Sequence, residues 1–171
     1  TAHGRTVFGG GGIMPDYVVQ PDTSGLMRAL VGNGLDQLFV RDWFTRHEQE
    51  LRDAWTKRRR AFIDTYEVDE ETVDAFWSFA KEKGVTLTSD PAKVSPKDGV
   101  FLRAEAMQEK ERLKTYIKAR IAWRLFGGRA AIPLLNQIDA DLKEALTLWD
   151  EAEALAAYHA PSTARSRGEN R

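Results

Sequence analysis

Apolar residues recur every three or four positions along most of the chain after residue 22, the spacing that places them on one side of an α-helix. The first such segment follows potential capping side chains at 22–24, and the Gly-Asn-Gly sequence at 32–34 is expected to end it. A second segment begins at Leu35 and continues past Trp55, with a break expected near His47. This first part of the pattern therefore predicts helices.

Later segments repeat the helical pattern and add the signals that begin and end helices. The acidic residues 69–71 suit a helix N-terminus, and Gly84 is expected to end the same helix. Residues 85–98 contain two prolines among Ser, Thr and Asp and are predicted to be a linker. A long helix is then expected from about residue 100 to residue 126, followed by a last helix. The predicted fold is mainly α, a bundle of about five to six helices.

The last predicted helix carries apolar residues at alternating spacings of three and four, which form a heptad seam. The residues of this seam are Leu135, Ile138, Leu142, Ala145, Trp149, Ala152 and Ala156. A seam of this kind can be an interaction surface, although it is more often the buried side of a helical bundle. We predict it as an interaction seam and keep the bundle interpretation as the alternative.

The first 21 residues do not follow the helical pattern. Residues 5–8 and 17–19 have the composition of β-strands, four consecutive glycines lie between them, and Pro15 and Pro21 disfavour helix. Two isolated strands are not stable in water. We therefore predict one or two short strands that lack their own sheet.

Three parts of the chain follow from these patterns. Residues 1–21 contain the predicted strands and the glycines and are a residual segment, left without the sheet to which the strands would belong. Residues 22–159 form the helical domain. Residues 160–171 are polar and basic without apolar periodicity, so this tail is predicted to be disordered.

Composition and charge argue against several classes of protein. The net charge of −1 and the pI of about 6.3 give no overall positive field for nucleic acid, and no apolar run is long enough to span a membrane. The basic stretch 57–60, flanked by aromatic residues, could contact nucleic acid, but neighbouring acidic residues favour a solvated helix face. No nucleic-acid partner is expected.

Candidate chemistry is sparse. The glycines are followed by Ile13, Met14 and Pro15 instead of the Lys-Ser/Thr and helix of a phosphate loop, so we interpret them as positions where the backbone passes close to another backbone or takes a positive φ. The chain has no cysteine, and its three histidines are far apart, so no metal site and no cofactor are expected. The acidic pairs and the serines lie in contexts typical of helix faces, caps and linkers. No catalytic residue is predicted in this chain.

The stretch GRTVFGGGGIMPDYVV resembles the end of the catalytic core in carboxyl-terminal processing peptidases, the tail-specific serine proteases. The residues that carry the resemblance are Gly4, Arg5, Val7, Phe8, Gly9, Gly10, Gly11, Gly12, Ile13, Pro15 and Asp16. The helical region is also similar to the C-terminal extension of one bacterial branch of that family. The similar features are the EVDEETVDAF start and KEKGV end of one helix and the RIAWRLFGG end of another.

The resemblance implies a peptidase with a Ser nucleophile and a Lys general base, and a PDZ-type domain that recognises substrates near the C-terminus. It also implies a location in the periplasm or cell envelope. The family's Gly-Ser-x-Ser-Ala and Gly-Lys-Gly contexts do not occur in this sequence. The chain also begins with Thr1 in place of Met, so we expect the dyad and the PDZ domain to lie upstream in a longer protein.

Two functional hypotheses result. In the first, the helices brace, gate or oligomerise a tail-specific peptidase, and this chain alone is inactive. Its expected partners are the missing protease core, the protein substrates of the parent enzyme, and further copies of itself. In the second, the chain is a stand-alone helical interaction or adaptor module, a hypothesis that leaves the motif at 4–16 without a purpose.

Overall fold

A computed structural model describes residues 18–19 and 24–159, with side chains described up to residue 154. This part of the chain is mainly helical, as predicted, and contains one small two-stranded sheet. Its elements are α1 (Gly25–Met27), α2 (Leu35–Trp55), α3 (Arg59–Thr65), α4 (Glu70–Glu82), β1 (Thr86–Thr88), β2 (Val100–Leu102), α5 (Arg103–Gln108), α6 (Lys110–Phe126), α7 (Gly128–Asn136), α8 (Ala140–Thr147) and α9 (Trp149–His159). The helices outnumber the five to six expected because short breaks divide three of the predicted segments.

The predicted start of the helical region is confirmed at α1. The Ser24 side chain accepts a hydrogen bond from the Met27 backbone N–H at 3.1 Å, and a π-helical turn, Arg28–Gly32, continues the helix. Gly34 has a positive φ of 72°, which lets the chain turn and begin α2.

The break expected near His47 is wrong, because α2 runs unbroken through this position. The His47 ring stacks on Trp43 with centroids 4.1 Å apart, and its Nδ1 donates to the Trp43 carbonyl oxygen at 2.8 Å. The histidine therefore follows the helix instead of interrupting it. The chain turns later, at 56–58, before α3 begins.

Helix α4 begins and ends where the sequence predicts. Asp69 caps it by accepting a hydrogen bond from the Thr72 backbone N–H at 2.7 Å, and Gly84 follows its last turn with a φ of 89°. The Phe76 ring lies in the core, edge-on to Phe39 of α2 at a centroid distance of 5.3 Å. This contact fixes the buried face of α4.

The segment predicted as a linker is instead an ordered strand–turn–strand unit. Strands β1 and β2 pair in parallel, with Thr86 opposite Val100. Two short 3₁₀ turns, Pro91–Lys93 and Pro96–Asp98, connect them. Each turn begins with a proline, whose fixed φ suits the first position of a turn. The two prolines, which predicted a linker, instead begin the two turns of a compact connection between β1 and β2.

The long helix predicted from residue 100 is also divided. Residues Val100–Leu102 belong to β2, and the helical region begins only at Arg103 and is interrupted at Glu109. The remaining part, α6, carries the expected apolar residues Leu113, Ile117 and Ile121 on its buried face. Apolar spacing thus located the core face of α6 but not its first residue.

The core lies between α2, α4, α6 and α7, with α3 closing one end. At that end, Phe62 is fully buried and stacks on Tyr66 at a centroid distance of 4.5 Å. Burial raises the pKa of Tyr66 to about 12. The Lys118 side chain of α6 donates to the Ile63 carbonyl oxygen at 2.8 Å, which ties α3 to the core.

Several sequence predictions lie outside the described residues. These are the strand and glycine segment up to residue 17 and the disordered tail from residue 160. Val18 and Val19 are described and belong to no strand. In the part of the chain that the structure describes, no helix has the length and apolar character needed to cross a membrane.

Candidate functional site

The predicted interaction seam does not lie on one helix. Six of its residues are distributed over α7, α8 and α9, and Ile138 lies in the turn at 137–139 that separates α7 from α8. A break at Leu148 separates α8 from α9. The turn forms because Asp139 caps α8, accepting a hydrogen bond from the Leu142 backbone N–H at 2.9 Å. The prediction of a single last helix is therefore wrong.

The seam changes from buried to exposed along its length. Leu135 packs against the core, Ile138 and Leu142 are half-buried, and Ala145 and Ala152 are exposed.

We call helices α8 and α9 the C-terminal arm. Two large apolar side chains on this arm are exposed. Trp149, a seam residue, is 65% exposed, and nearby Leu146 is 55% exposed. Ala156 belongs to α9, but its side chain lies outside the described residues. The arm is therefore the exposed part of the seam and a candidate docking surface.

A second apolar patch lies where α6 meets α7. Trp123 and Ile132 are both more than half exposed. They flank Gly128, since a Cβ atom at that glycine would lie 3.4 Å from both Ile132 Cδ1 and Trp123 Cζ3. We call Trp123, Gly128 and Ile132 the α6–α7 patch. The sequence did not indicate this patch, because periodicity alone does not tell which side of a helix stays uncovered.

The basic stretch 57–60 lies in the turn before α3 and in its first residues, and all of its side chains are exposed. Arg60 forms an ion pair with Asp64 at 2.8 Å, and the Arg58 guanidinium lies over the Trp55 ring at 5.1 Å. These contacts agree with the interpretation as a solvated helix face.

A cleft that the sequence did not indicate lies between α4 and α5, with β1 along one side. Its volume is about 410 Å³. Apolar and charged side chains both line it. The lining residues are Glu70, Val73, Asp74, Trp77, Lys81, Val85, Thr86, Leu87, Arg103, Ala106, Met107 and Lys110. Met107 is 72% exposed although it lies on the wall of this cleft. The combination of apolar and charged side chains in the lining suits an amphipathic ligand.

Ion pairs join Glu70, which lines the cleft, to α6. Glu70 of α4 accepts hydrogen bonds from Lys110 at 2.6 Å and from Lys114 at 2.8 Å, both on α6. Hydrogen bonds from Lys110 and Lys114 hold the pKa of Glu70 below its usual value, and the hydrogen bond to Glu70 raises the pKa of Lys114. These contacts fix the distance between the start of α4 and the start of α6.

Replacing Glu70 with glutamine removes its ion pairs with Lys110 and Lys114 and is expected to lower the melting temperature at pH 7 by about 1–3 °C. The loss is small because exposed ion pairs contribute little to the free energy of unfolding. The folded-state pKa of Glu70 is lowered from 4.5. The stabilisation of the fold by the ionised Glu70 is therefore present above pH 4.5 and is lost as the pH falls through the lowered pKa. Thermal melts of both proteins between pH 7 and pH 2.5 measure this effect, and the two melting temperatures should converge at the acidic end.

The matched control is Glu71→Gln, which removes a neighbouring exposed carboxylate that forms no ion pair among the described residues. Its difference from the wild type should be smaller at pH 7. Equal effects of the two substitutions at every pH would show that the Lys110 and Lys114 contacts contribute nothing.

Within residues 18–19 and 24–159 there is no group of three or more His, Cys, Asp or Glu side chains placed to hold a metal ion. The glycine motif at 4–16, which carries the resemblance to the peptidases, lies outside the described residues. The structure therefore brings together one cleft and two exposed apolar surfaces as candidate sites.

Comparison with known proteins places the helical region in a family. Residues 26–127 match a family of unknown function, DUF8443. No curated protein and no solved structure matches the chain. The matched range contains the whole cleft, whereas the motif at 4–16 and the C-terminal arm lie outside it. The chain thus belongs to DUF8443, a family of unknown function.

Proposed function

We propose that this chain is the C-terminal helical domain of a tail-specific serine endopeptidase, and that it braces the protease core. The Ser/Lys dyad and the PDZ domain belong to a preceding part of the same polypeptide, and the parent enzyme acts in the periplasm or cell envelope. In this proposal the helical domain contributes no catalytic residue.

The observation that carries the proposal is the position of the motif relative to the domain. Only residues 17–23 separate the peptidase-like motif at 4–16 from the capping residue Ser24. The first helix is anchored where it begins, because the Leu26 backbone N–H donates to the Glu105 carboxylate of α5 at 3.1 Å. So short a connection holds the helical domain beside the end of the core.

The exposed apolar surfaces supply the means of docking. Leu146 and Trp149 on the C-terminal arm, and Trp123 and Ile132 on the α6–α7 patch, expose more than half of their surface. Covering such side chains with a protein partner is favourable, and aromatic residues contribute most to interfaces. In the proposed enzyme, the core or a second copy of the chain covers them.

The test uses the full reading frame, expressed with and without residues 22–171, and measures cleavage of an unfolded protein such as β-casein. We expect the truncated enzyme to lose at least about tenfold in kcat/KM, because the core loses its support. Residues 1–171 alone are expected not to cleave the substrate. Serine-dependent cleavage by this chain alone would contradict the proposal, as would full activity of the truncated enzyme.

A substitution in the arm tests the docking surface itself. Trp149→Glu in the full-length enzyme is expected to reduce activity and to lower the melting temperature, since it places a charge in an apolar interface. The control Gln37→Glu adds the same charge at an exposed position of α2, outside both apolar surfaces. If both substitutions have the same effect, the C-terminal arm is not the docking surface.

One finding favours the alternative of a stand-alone interaction module. The family match begins at residue 26 and so excludes the motif at 4–16. The helical region is therefore a unit that can be defined without the peptidase-like segment. Sequencing the gene upstream of Thr1 separates the two: a serine–lysine peptidase core supports the first proposal, and a stop codon or an unrelated domain supports the second.

A further inference from the structure

The cleft between α4 and α5 meets β1 along the edge of the strand. Thr86 and Leu87 of β1 and the preceding residue Val85 all line the cleft, whereas no residue of β2 does. Consecutive residues of a strand point to opposite faces of the sheet, so a cleft on one face would contact alternate residues only. The cleft therefore follows the edge of β1 that faces away from β2.

The backbone of Leu87 is unpaired on this edge. The Thr86 N–H donates to the Gly99 carbonyl oxygen at 2.8 Å, which is the bond expected for the parallel register of Thr86 with Val100. In a parallel ladder, only every second residue of a strand forms backbone hydrogen bonds to a given neighbouring strand. The N–H and C=O of Leu87, which follows the paired Thr86, therefore point away from β2. No group among the described residues bonds to them.

The opposite edge of the sheet is partly occupied. Ser95 pairs with Val100 of β2 through two backbone hydrogen bonds, of 3.0 and 2.9 Å. The edge of β1 is therefore the one that is open to a further strand in the described part of the chain, and it is the edge beside the cleft.

We propose that the cleft binds an extended peptide segment, which adds to β1 as a third strand and pairs with the N–H and C=O of Leu87. An apolar side chain of the peptide lies between Trp77 of α4 and Met107 of α5, which line opposite walls. Backbone pairing gives this kind of binding its affinity, and the side-chain pocket gives its specificity. The proposal does not depend on a peptidase function for the chain.

The charges around the cleft favour an acidic peptide. Its lining carries three cationic side chains, from Lys81, Arg103 and Lys110, against two anionic ones, from Glu70 and Asp74. Glu70 is already paired with Lys110, while Lys81 and Arg103 have no ion-pair partner among the described residues. A carboxylate next to the apolar side chain of the peptide would therefore be attracted to Lys81 and Arg103.

The test begins with a random nonapeptide library displayed on phage and selected on the full 171-residue chain. The consensus peptide is synthesised with a fluorescent label, and its binding is measured by fluorescence anisotropy. We expect a consensus with an apolar residue next to an acidic one. Failure to select any peptide whose binding depends on the cleft would overturn the proposal.

Backbone pairing is tested on the peptide itself. Methylation of successive backbone nitrogens, one at a time, should weaken binding at every second position by about tenfold or more, because only those N–H groups face β1. The Leu87 amide should exchange rapidly with solvent in the free protein and become protected when the peptide is bound. Absence of the two-residue period would show that the peptide does not add as a strand.

Variants of the protein locate the peptide. Met107→Glu should weaken binding about tenfold or more by placing a charge on the apolar wall, and Arg103→Glu should weaken it in a salt-dependent way. The control Gln37→Glu adds the same charge at an exposed position of α2, outside the cleft, and should leave the affinity unchanged. If Gln37→Glu and Met107→Glu weakened binding equally, the binding site would lie elsewhere.

Discussion

Replacing Arg120 with methionine is expected to lower the free energy of unfolding by about 3–5 kcal/mol, because it leaves a buried carboxylate without its charge partner. Arg120 Nε of α6 donates to Asp36 Oδ2 of α2 at 2.6 Å, and the Asp36 side chain has no exposed surface. Its other oxygen, Oδ1, has no hydrogen-bond partner among the described residues. Urea unfolding followed by circular dichroism measures the change.

The pair itself need not be stabilising. Replacing both partners by apolar residues, as in Asp36→Leu with Arg120→Met, removes the unpaired charge and the desolvation of the carboxylate together. The double variant is therefore expected to be more stable than Arg120→Met alone, despite one more substitution. The cycle of single and double variants gives the interaction energy between the two side chains.

The matched control is Arg124→Met, one turn further along α6, where the arginine is exposed and forms no ion pair among the described residues. Its effect should stay within about 0.5 kcal/mol of zero. If Arg120→Met costs no more than Arg124→Met, the contact between Asp36 and Arg120 does not link α2 to α6.

The sequence was most informative where a local signal decides the structure. The cap at Asp69 and the glycine after α4 act within one or two turns, so the bounds of α4 followed from them. The buried face of α6 followed from apolar spacing, because Leu113, Ile117 and Ile121 recur at the helical period. These signals need no knowledge of the rest of the chain.

The strands β1 and β2 could not be predicted in this way. Each has three residues, too few to show an alternating pattern, and their pairing joins positions 86 and 100 across two proline turns. Prolines and serines in such a connection resemble those of a linker. Residues 85–98 were therefore predicted to be a linker without a strand.

The candidate sites also combine features that local sequence signals predict with features that depend on the tertiary arrangement. The exposed seam residue Trp149 was identified from spacing, but its exposure depends on the turn at 137–139 and the break at Leu148. The cleft could not be predicted, because Trp77 and Met107 become neighbours across it only once β1 and β2 place α5 beside α4. A site that depends on the tertiary arrangement leaves no pattern in the sequence.

Replacing Gly99 with alanine should lower the free energy of unfolding by about 2–5 kcal/mol, through backbone strain combined with a steric clash. Gly99 has a φ of 73°, which disfavours any residue with a Cβ atom, and the added Cβ would overlap the carbonyl oxygen of Gly84. The Gly99 carbonyl oxygen also accepts the hydrogen bond from the Thr86 N–H that begins the pairing of β1 with β2. Displacing Gly99 therefore disturbs the strand pair as well as the turn.

The control Gly34→Ala separates strain from clash. Gly34 has a φ of 72°, nearly the same as Gly99, but apart from its chain neighbours no atom of the described residues would lie within 4 Å of a Cβ atom there. Its cost should be the conformational strain alone, about 1–2 kcal/mol. Urea unfolding of both variants gives the difference, and amide exchange of Thr86 shows whether the strand pair opens. Equal costs for the two substitutions, with Thr86 still protected, would mean that the chain between Gly84 and Gly99 adjusts freely and does not hold β1 against the cleft.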